Sequence, residues 1–301
     1  MKKEEIVERI AQLKKERNAV ILAHNYQTGE VQDIADYIGD SLGLSQKAAS
    51  SEASVIVFCG VHFMAETAAI LAPAKTVLLP EIKAGCPMAD MITAGELREW
   101  KKRYPGRKVV AYVNTTADVK AESDICCTSS NAVKVVISLE DEEVLFVPDK
   151  NLAAYVARQT NKKIIAWDGY CSIHDNIRLR DIKEKKKAHP EAEVWAHPEC
   201  RPEVIDLADK VLSTGKMVKE AGETPKKEII VATEAGIIYR LKKENPGKSF
   251  YPGRDQALCP NMKKINLEKV LISLEKIVYR IEVPPEISCK ARGAIEKMVK
   301  I

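Results

Sequence analysis

Gly169-Tyr170-Cys171-Ser172-Ile173-His174 is the stretch around which the rest of the chain is organised. It follows Ile164-Ile165-Ala166-Trp167, a short apolar run that reads as a buried strand. A cysteine and a histidine therefore sit just past the carboxyl end of a strand, where open α/β sheets place their ligand chemistry. The arrangement recurs. Cys86 lies 85 residues earlier, after Thr76-Val77-Leu78-Leu79-Pro80, and Cys259 lies 88 residues later, after Ser249-Phe250-Tyr251-Pro252. Three cysteines at near-equal spacing, each in a loop after a short strand, predict three copies of one unit that meet at one site.

Working outward, helices alternate with short apolar strands, the pattern of a buried parallel sheet. In the first copy a helix over 4–17 carries Ile6, Ile10 and Leu13 on one face. A strand over 19–23 ends in His24-Asn25-Tyr26-Gln27, a helix is predicted over 30–37, and another helix follows Ser41. Strand 55–58, helix 62–71 and strand 77–79 then lead to Cys86. The second copy has helix 94–103, strand 109–113 ending in Asn114, strand 124–127 ending in Thr128-Ser129-Ser130-Asn131, and strand 144–147 ending in Pro148-Asp149. The third has a basic helix over 179–187, strand 194–196 ending in His197-Pro198-Glu199-Cys200, strand 211–212 ending in Ser213-Thr214-Gly215, strand 229–232 ending in Thr233-Glu234, and strand 250–251 before Cys259. The tail has helices near 267–277 and 286–300 with a short strand over 279–283 between them. The expected division is 1–86, 87–171 and 172–264, three αβα-layer repeats of an α/β fold, with the tail 265–301 packing on the first. The chemistry at the strand ends keeps one order: His24, Asn114 and His197; then Ser41, Ser129 and Thr214; then the three cysteines.

Bulk composition narrows the classes. The 46% hydrophobic content of the 301 residues suits a globular protein with a real core. The 30% charged content, rich in Lys and Glu, leans towards a thermophilic source. The net charge of +4 comes from 47 basic and 43 acidic residues mixed along the chain, with no basic stripe among aromatics, so nucleic acid is not expected as a partner. Met1-Lys2-Lys3-Glu4-Glu5 reads as a charged helix start rather than a signal peptide, and no apolar run is long enough for a membrane span. These features assign the chain to the cytoplasm. In that reducing compartment its eight cysteines are candidates for metal binding or reactivity rather than disulfides. No GxGxxG or GxxxxGK[ST] motif supports nucleotide binding.

Each candidate has a plainer reading. Cys86, Cys171 and Cys259 are either ordinary loop thiols or a metal site; none has the close C-x2-C spacing of common iron–sulfur motifs. Three thiolates with no fourth would leave an open coordination position, as in catalytic metal sites. Cys59, Cys126, Cys127 and Cys289 read as packing, and Cys200 has no counterpart in the other copies. Ser41, Ser129 and Thr214 read as helix N-caps, a role compatible with holding anions at the same helix starts. Lys216 and Lys219 either add charge there or are simply solvated. His24, His174 and His197 are three of five histidines, all in strand-end loops. With Glu199 and Tyr26 they are candidates for acid–base work; His62 and His189 read as structural.

Nine stretches stand in a fixed order: Ala23-His24-Asn25-Tyr26-Gln27, Gly39-Asp40-Ser41, Gly85-Cys86-Pro87-Met88-Ala89-Asp90-Met91, Tyr112-Val113-Asn114, Thr128-Ser129-Ser130-Asn131-Ala132, Pro148-Asp149-Lys150-Asn151-Leu152, Cys171-Ser172-Ile173-His174, His197-Pro198-Glu199-Cys200 and Ser213-Thr214-Gly215. Together they resemble the quinolinate synthases, iron–sulfur enzymes of NAD biosynthesis. The resemblance implies three αβα domains about a pseudo-threefold axis and a [4Fe–4S] cluster on Cys86, Cys171 and Cys259 with one iron open. It implies condensation of iminoaspartate with dihydroxyacetone phosphate, and a functional partner, aspartate oxidase or aspartate dehydrogenase, to supply the unstable iminoaspartate. It implies substrate contacts at His24, Ser41, Tyr112, Asn114, Ser129, His197, Glu199 and Thr214, and proton transfer by Glu199, Tyr26, His174 and His197. Two alternatives remain: another cluster enzyme on a similar scaffold, such as a reductive dehydroxylase, or a non-catalytic iron–sulfur or zinc sensor with a closed four-ligand site.

Overall fold

The computed structural model describes residues 1–301. It contains three four-stranded sheets, each wholly parallel and each with the same strand order. The first sheet holds β1 (Ala19–His24), β2 (Tyr37–Gly39), β3 (Val55–Cys59) and β4 (Thr76–Leu78) in the order β2-β1-β3-β4. The second holds β5 (Lys108–Tyr112), β6 (Ile125–Cys127), β7 (Glu143–Val147) and β8 (Lys163–Ala166) in the order β6-β5-β7-β8. The third holds β9 (Glu193–Ala196), β10 (Lys210–Val211), β11 (Glu228–Ala232) and β12 (Ser249–Pro252) in the order β10-β9-β11-β12. Parallel neighbours need crossovers, and helices supply them, covering the sheet faces.

An aspartate fixes the same pairing in all three sheets. Asp36, Asp124 and Asp209 each stand directly before the edge strand, and each accepts the backbone N–H of the residue fifteen positions earlier: Ile21 at 2.7 Å, Val109 at 2.8 Å and Val194 at 2.7 Å. The aspartates' own N–H groups return a bond to the carbonyls of those same residues. This corrects the helix expected over 30–37. The helix is Gly29–Ile34; Asp36 then ties the chain to β1, and Tyr37–Gly39 is an edge strand.

The strand residues alternate between two cores in the third sheet. Val194, Ala196, Ile230 and Ala232 face one apolar cluster, while Trp195, Ile229 and Val231 face another. The first two sheets share one large core with the tail. Helix Leu267–Lys276 packs on helix Lys3–Glu16, and helix Pro285–Val299 lies against helix Ala117–Ala121 and β6 as well as helix His62–Leu71. The tail thus spans the first and second sheets. The strand expected over 279–283 does not form. Only an isolated bridge joins Arg280 to Leu78, and Pro284 and Pro285 beyond it have no N–H groups with which to continue a ladder.

Candidate active site

The carboxyl ends of the three sheets face one cleft with about 660 Å³ of atom-free space. It is lined by His24, Tyr26, Ser41, Tyr112, Asn114, Ser129, His174, His197, Glu199 and Thr214, and by the thiols of Cys86, Cys171 and Cys259. All thirteen candidates read from the sequence therefore line a single cavity. Cys200 does not reach it; it is buried in the third core with its thiol on the Ala232 carbonyl. Lys216 and Lys219 are exposed and outside it. Cys59, Cys126 and Cys127 are buried in strands, whereas Cys289, expected to pack, is exposed. His62 sits 3.7 Å from Glu66 and His189 stacks on Tyr251, away from the cavity.

The cysteine loops share one backbone design. The N–H groups of His62, Lys150 and Ala235 donate to the carbonyls of Ala84, Gly169 and Ala257, at 2.8, 2.8 and 2.7 Å, each acceptor two residues before a cysteine. Each cysteine carbonyl then accepts from the residue four positions on, so every thiol heads a short helical turn. The glycine of the opening stretch follows from this closeness: a Cβ at Gly169 would collide with the Pro148 carbonyl oxygen.

The hydroxyls expected to cap helices do not. Helix Ser41–Ser50 is capped by Asp40, which accepts from Gly43 N–H at 2.9 Å, and helix Thr214–Glu223 by Ser213, which accepts from Lys216 N–H at 3.4 Å. Helix Ala132–Ser138 begins at Asn131, whose side chain accepts instead from Thr128 N–H. Capping falls one or more residues from Ser41, Ser129 and Thr214, which frees their hydroxyls for the cavity. The three helix starts are joined to one another: Ser130 Oγ donates to Asp40 at 2.5 Å and lies 2.7 Å from Ser213 Oγ. Gly215 permits this approach, since a Cβ there would lie 2.6 Å from an Asp40 oxygen. Thr214 Oγ1 accepts from Asn25, so its own proton is left to donate.

The first and third domains repeat a histidine device. His24 Nδ1 accepts from Tyr26 N–H at 3.2 Å and His197 Nδ1 from Glu199 N–H at 3.3 Å. Both rings therefore carry their proton on Nε2. Burial lowers His24 to about 4 and His197 to about 3, the latter helped by neighbouring His174. Both are neutral donors at pH 7, and His197 Nε2 meets Ser129 Oγ at 3.2 Å.

His174 is wired at both ends. Its Nδ1 lies 2.6 Å from Glu199 and 3.2 Å from Cys171 Sγ; its Nε2 lies 2.8 Å from Thr233 Oγ1, which in turn lies 2.6 Å from the Tyr26 hydroxyl. Burial alone would raise Glu199, but His174, His197 and Tyr112 outweigh it and hold the carboxyl at about 2. One Glu199 oxygen, Oε1, has no protein partner. Burial, then the Glu199 charge, raises Tyr26 and Tyr112, so both phenols keep their protons. In the sequence Thr233 reads only as a strand end, because nothing in a Thr-Glu-Ala run marks the hydroxyl that joins a tyrosine to a histidine.

No lysine or arginine lines the cleft, which carries Asp40, Glu199 and Glu234. Burial pushes the thiols up, Cys86 to about 12, so as free groups they are protonated. A bound cation would release those protons and supply the positive charge that the lining lacks. The donor set, three thiols lining one cavity, suits a soft metal or an iron–sulfur cluster. Cys171, His174 and Glu199 also have ligand atoms within 4.8 Å of one another.

Three parallel αβα repeats closing on a shared pocket of thiols, neutral imidazoles and one ionised glutamate define the class, an α/β enzyme with its chemistry at the strand ends. A family model described as quinolinate synthetase A protein matches residues 8–300, and the chain belongs to that family. A quinolinate synthase of Dehalococcoides mccartyi is 62% identical over 296 residues, 98% of either chain. Those of Methanosarcina barkeri and Thermodesulfovibrio yellowstonii are each 56% identical, over 100% and 98% of this chain and 99% and 98% of their own. No helix is long and apolar enough to cross a membrane.

Proposed function

We propose that this enzyme condenses iminoaspartate with dihydroxyacetone phosphate to quinolinate, inorganic phosphate and two waters, in NAD biosynthesis. Cys86, Cys171 and Cys259 would hold a [4Fe–4S] cluster with one iron free of protein thiolate. The observation that carries the reading is the meeting, in one cavity, of a thiol from each repeat with the Tyr26–Thr233–His174–Glu199 chain. When bound, the cluster supplies a Lewis acid for a substrate hydroxyl or carboxylate.

The chain's own groups bind and move protons. Ser129, Thr214 and the Nε2–H groups of His24 and His197 donate to substrate carboxylate and phosphate oxygens, beside helix starts whose dipoles favour negative charge. Ser41, Asn114 and Tyr112 complete the wall; the buried Asn114 Oδ1 has no protein partner and is left to accept. Glu199 is ionised and takes a proton through its free oxygen. With its Nδ1–H held by Glu199, His174 leaves Nε2 as an acceptor, so Tyr26 can take a substrate proton while its own passes through the Thr233 hydroxyl to His174. Iminoaspartate hydrolyses readily, so aspartate oxidase or aspartate dehydrogenase must act nearby. The cytoplasm is the compartment of this reading, since the ligand thiols must stay reduced.

The test is anaerobic turnover of chemically generated iminoaspartate and dihydroxyacetone phosphate, with no reductant added. Quinolinate should form, because the sum is redox-neutral; a strict need for a reductant would favour the dehydroxylase reading. The grouping of Cys171, His174 and Glu199 supports a second reading, a zinc site. Stoichiometric zinc without sulfide in the anaerobically isolated protein would favour it.

A further inference from the structure

The three cysteine loops share the same backbone bonds, but the side chain that stands before the anchor N–H is not the same in all three. The position directly before the shared anchor N–H is Val61 in the first domain, Asp149 in the second and Glu234 in the third. Asp149 and Glu234 are completely buried. Asp149 Oδ2 accepts the backbone N–H of Cys171 at 3.1 Å, and Glu234 Oε1 accepts that of Cys259 at 2.9 Å. Each carboxylate's second oxygen is also engaged, with Leu152 N–H at 2.7 Å and Gly236 N–H at 2.7 Å. Lys263 adds an ion pair to Glu234 at 2.9 Å and also donates to the Tyr26 carbonyl of the first domain. Val61 offers no acceptor, and no protein group accepts the Cys86 N–H.

Resting on the three-thiol reading above, we propose that Asp149 and Glu234 are positioning residues for the cofactor: each ties down the amide of one cysteine ligand, so the Cys171 and Cys259 loops are set before loading, while the Cys86 loop is ordered by loading itself. A completely buried carboxyl group, repeated in two of the three units with an oxygen on the same backbone N–H of the same loop, has a bond to make there. Groups that orient metal ligands from behind commonly change metal affinity 10–100-fold when altered.

Asp149→Asn is a selective test. Asparagine caps helices as well as aspartate does, so its oxygen stays on Leu152 and its NH₂ is turned against the Cys171 N–H. After anaerobic reconstitution with iron and sulfide, chelator-driven loss of cluster absorbance should be about 10–100-fold faster than in the wild-type protein, with the apoprotein melting temperature nearly kept. Glu234→Gln keeps an oxygen for Cys259 and Lys263, so its loss should fall between the two. Asp209→Asn breaks a comparable aspartate–backbone bond at the far end of the third sheet and should leave the loss rate unchanged. Asp149→Asn at the wild-type rate overturns the proposal while leaving the three-thiol site standing. Wild-type protein that takes up no iron and sulfide overturns both. Should Asp149→Asn not fold, residue-resolved amide exchange of the wild-type apoprotein decides. The Cys171 and Cys259 amides should exchange at least about tenfold more slowly than that of Cys86. Equal rates for all three would overturn the assignment.

Discussion

The two ends of the three sheets carry opposite lessons. At the amino ends the threefold repeat is kept: Asp36, Asp124 and Asp209 make the same bond over the same interval. At the carboxyl ends the backbone repeats but the side chains diverge. His24 and His197 share a device that Asn114 does not, and Asp149 and Glu234 stand where the first domain has Val61. Folding asks the same of every domain, so the far end stays uniform. A single pocket built from three directions must meet an asymmetric substrate, so the near end cannot. Changes at the cavity should therefore spoil chemistry with little loss of fold, and changes at the far end should do the reverse.

The largest effect belongs to the thiols. Alanine at Cys86, Cys171 or Cys259 should abolish both the cluster absorbance and turnover, whereas alanine at the exposed Cys289 should leave both. A cluster that survives loss of Cys171 would contradict the site. Next comes Glu199→Gln, which keeps shape and cluster but removes the base. Its kcat should fall about 10²–10⁴-fold, and near-normal turnover would move the role to Tyr26 or His174. Ser129→Ala and Thr214→Val delete hydrogen bonds to anionic substrate groups, worth about 1.5–3 kcal/mol each. KM should rise accordingly; thermal stability should hold in Ser129→Ala, because Asn131 and not Ser129 stands at the N-cap of that helix, and should fall by about 1–3 kcal/mol in Thr214→Val, which leaves the buried Asn25 amide without its acceptor. In Ser129→Ala, a fall in stability with KM unchanged would break that separation.

Acid should weaken the cavity end through its buried groups. His24 and His197 titrate near 6.5 when unfolded but at about 4 and about 3 when folded, chiefly because burial disfavours the charged ring. Below pH 6.5 the unfolded chain binds protons that the folded chain refuses. Each histidine then removes about 1.4 kcal/mol per pH unit until its folded value is reached. Glu199 adds to the loss below its ordinary 4.5, because its stabilisation exists only while it is ionised and disappears towards about 2. The melting temperature of the apoprotein should fall between pH 6.5 and 4, and more gently in His24→Asn. Equal slopes would show that His24 is not held neutral. The smallest effect lies at the far end: Asp124→Asn should cost about 1 kcal/mol of stability and leave kcat alone.

Much of this was legible in the sequence, because buried parallel strands are short apolar runs and the cysteines mark their period. The aspartates keep that period too, at intervals of 88 and 85 residues, but a lone Asp before a three-residue strand carries no apolar signal. For the same reason β2 has no strand signal of its own, and its first residue, Tyr37, falls at the end of the helix expected over 30–37. The caps were displaced because Asp40-Ser41, Thr128-Ser129-Ser130-Asn131 and Ser213-Thr214 each offer several capping side chains, and only the backbone decides among them. Asp149, Thr233 and Glu234 reach partners at the site 22 to 207 residues distant, contacts that no local pattern records.

A single cluster on three thiols with one iron left open has a direct signature in Mössbauer spectra of the anaerobically loaded, ⁵⁷Fe-labelled protein recorded with and without a dicarboxylate substrate analogue. One iron site of the cluster should shift on binding while the other three do not. A spectrum that the ligand leaves unchanged, or protein that holds no iron with its sulfide, would contradict that arrangement.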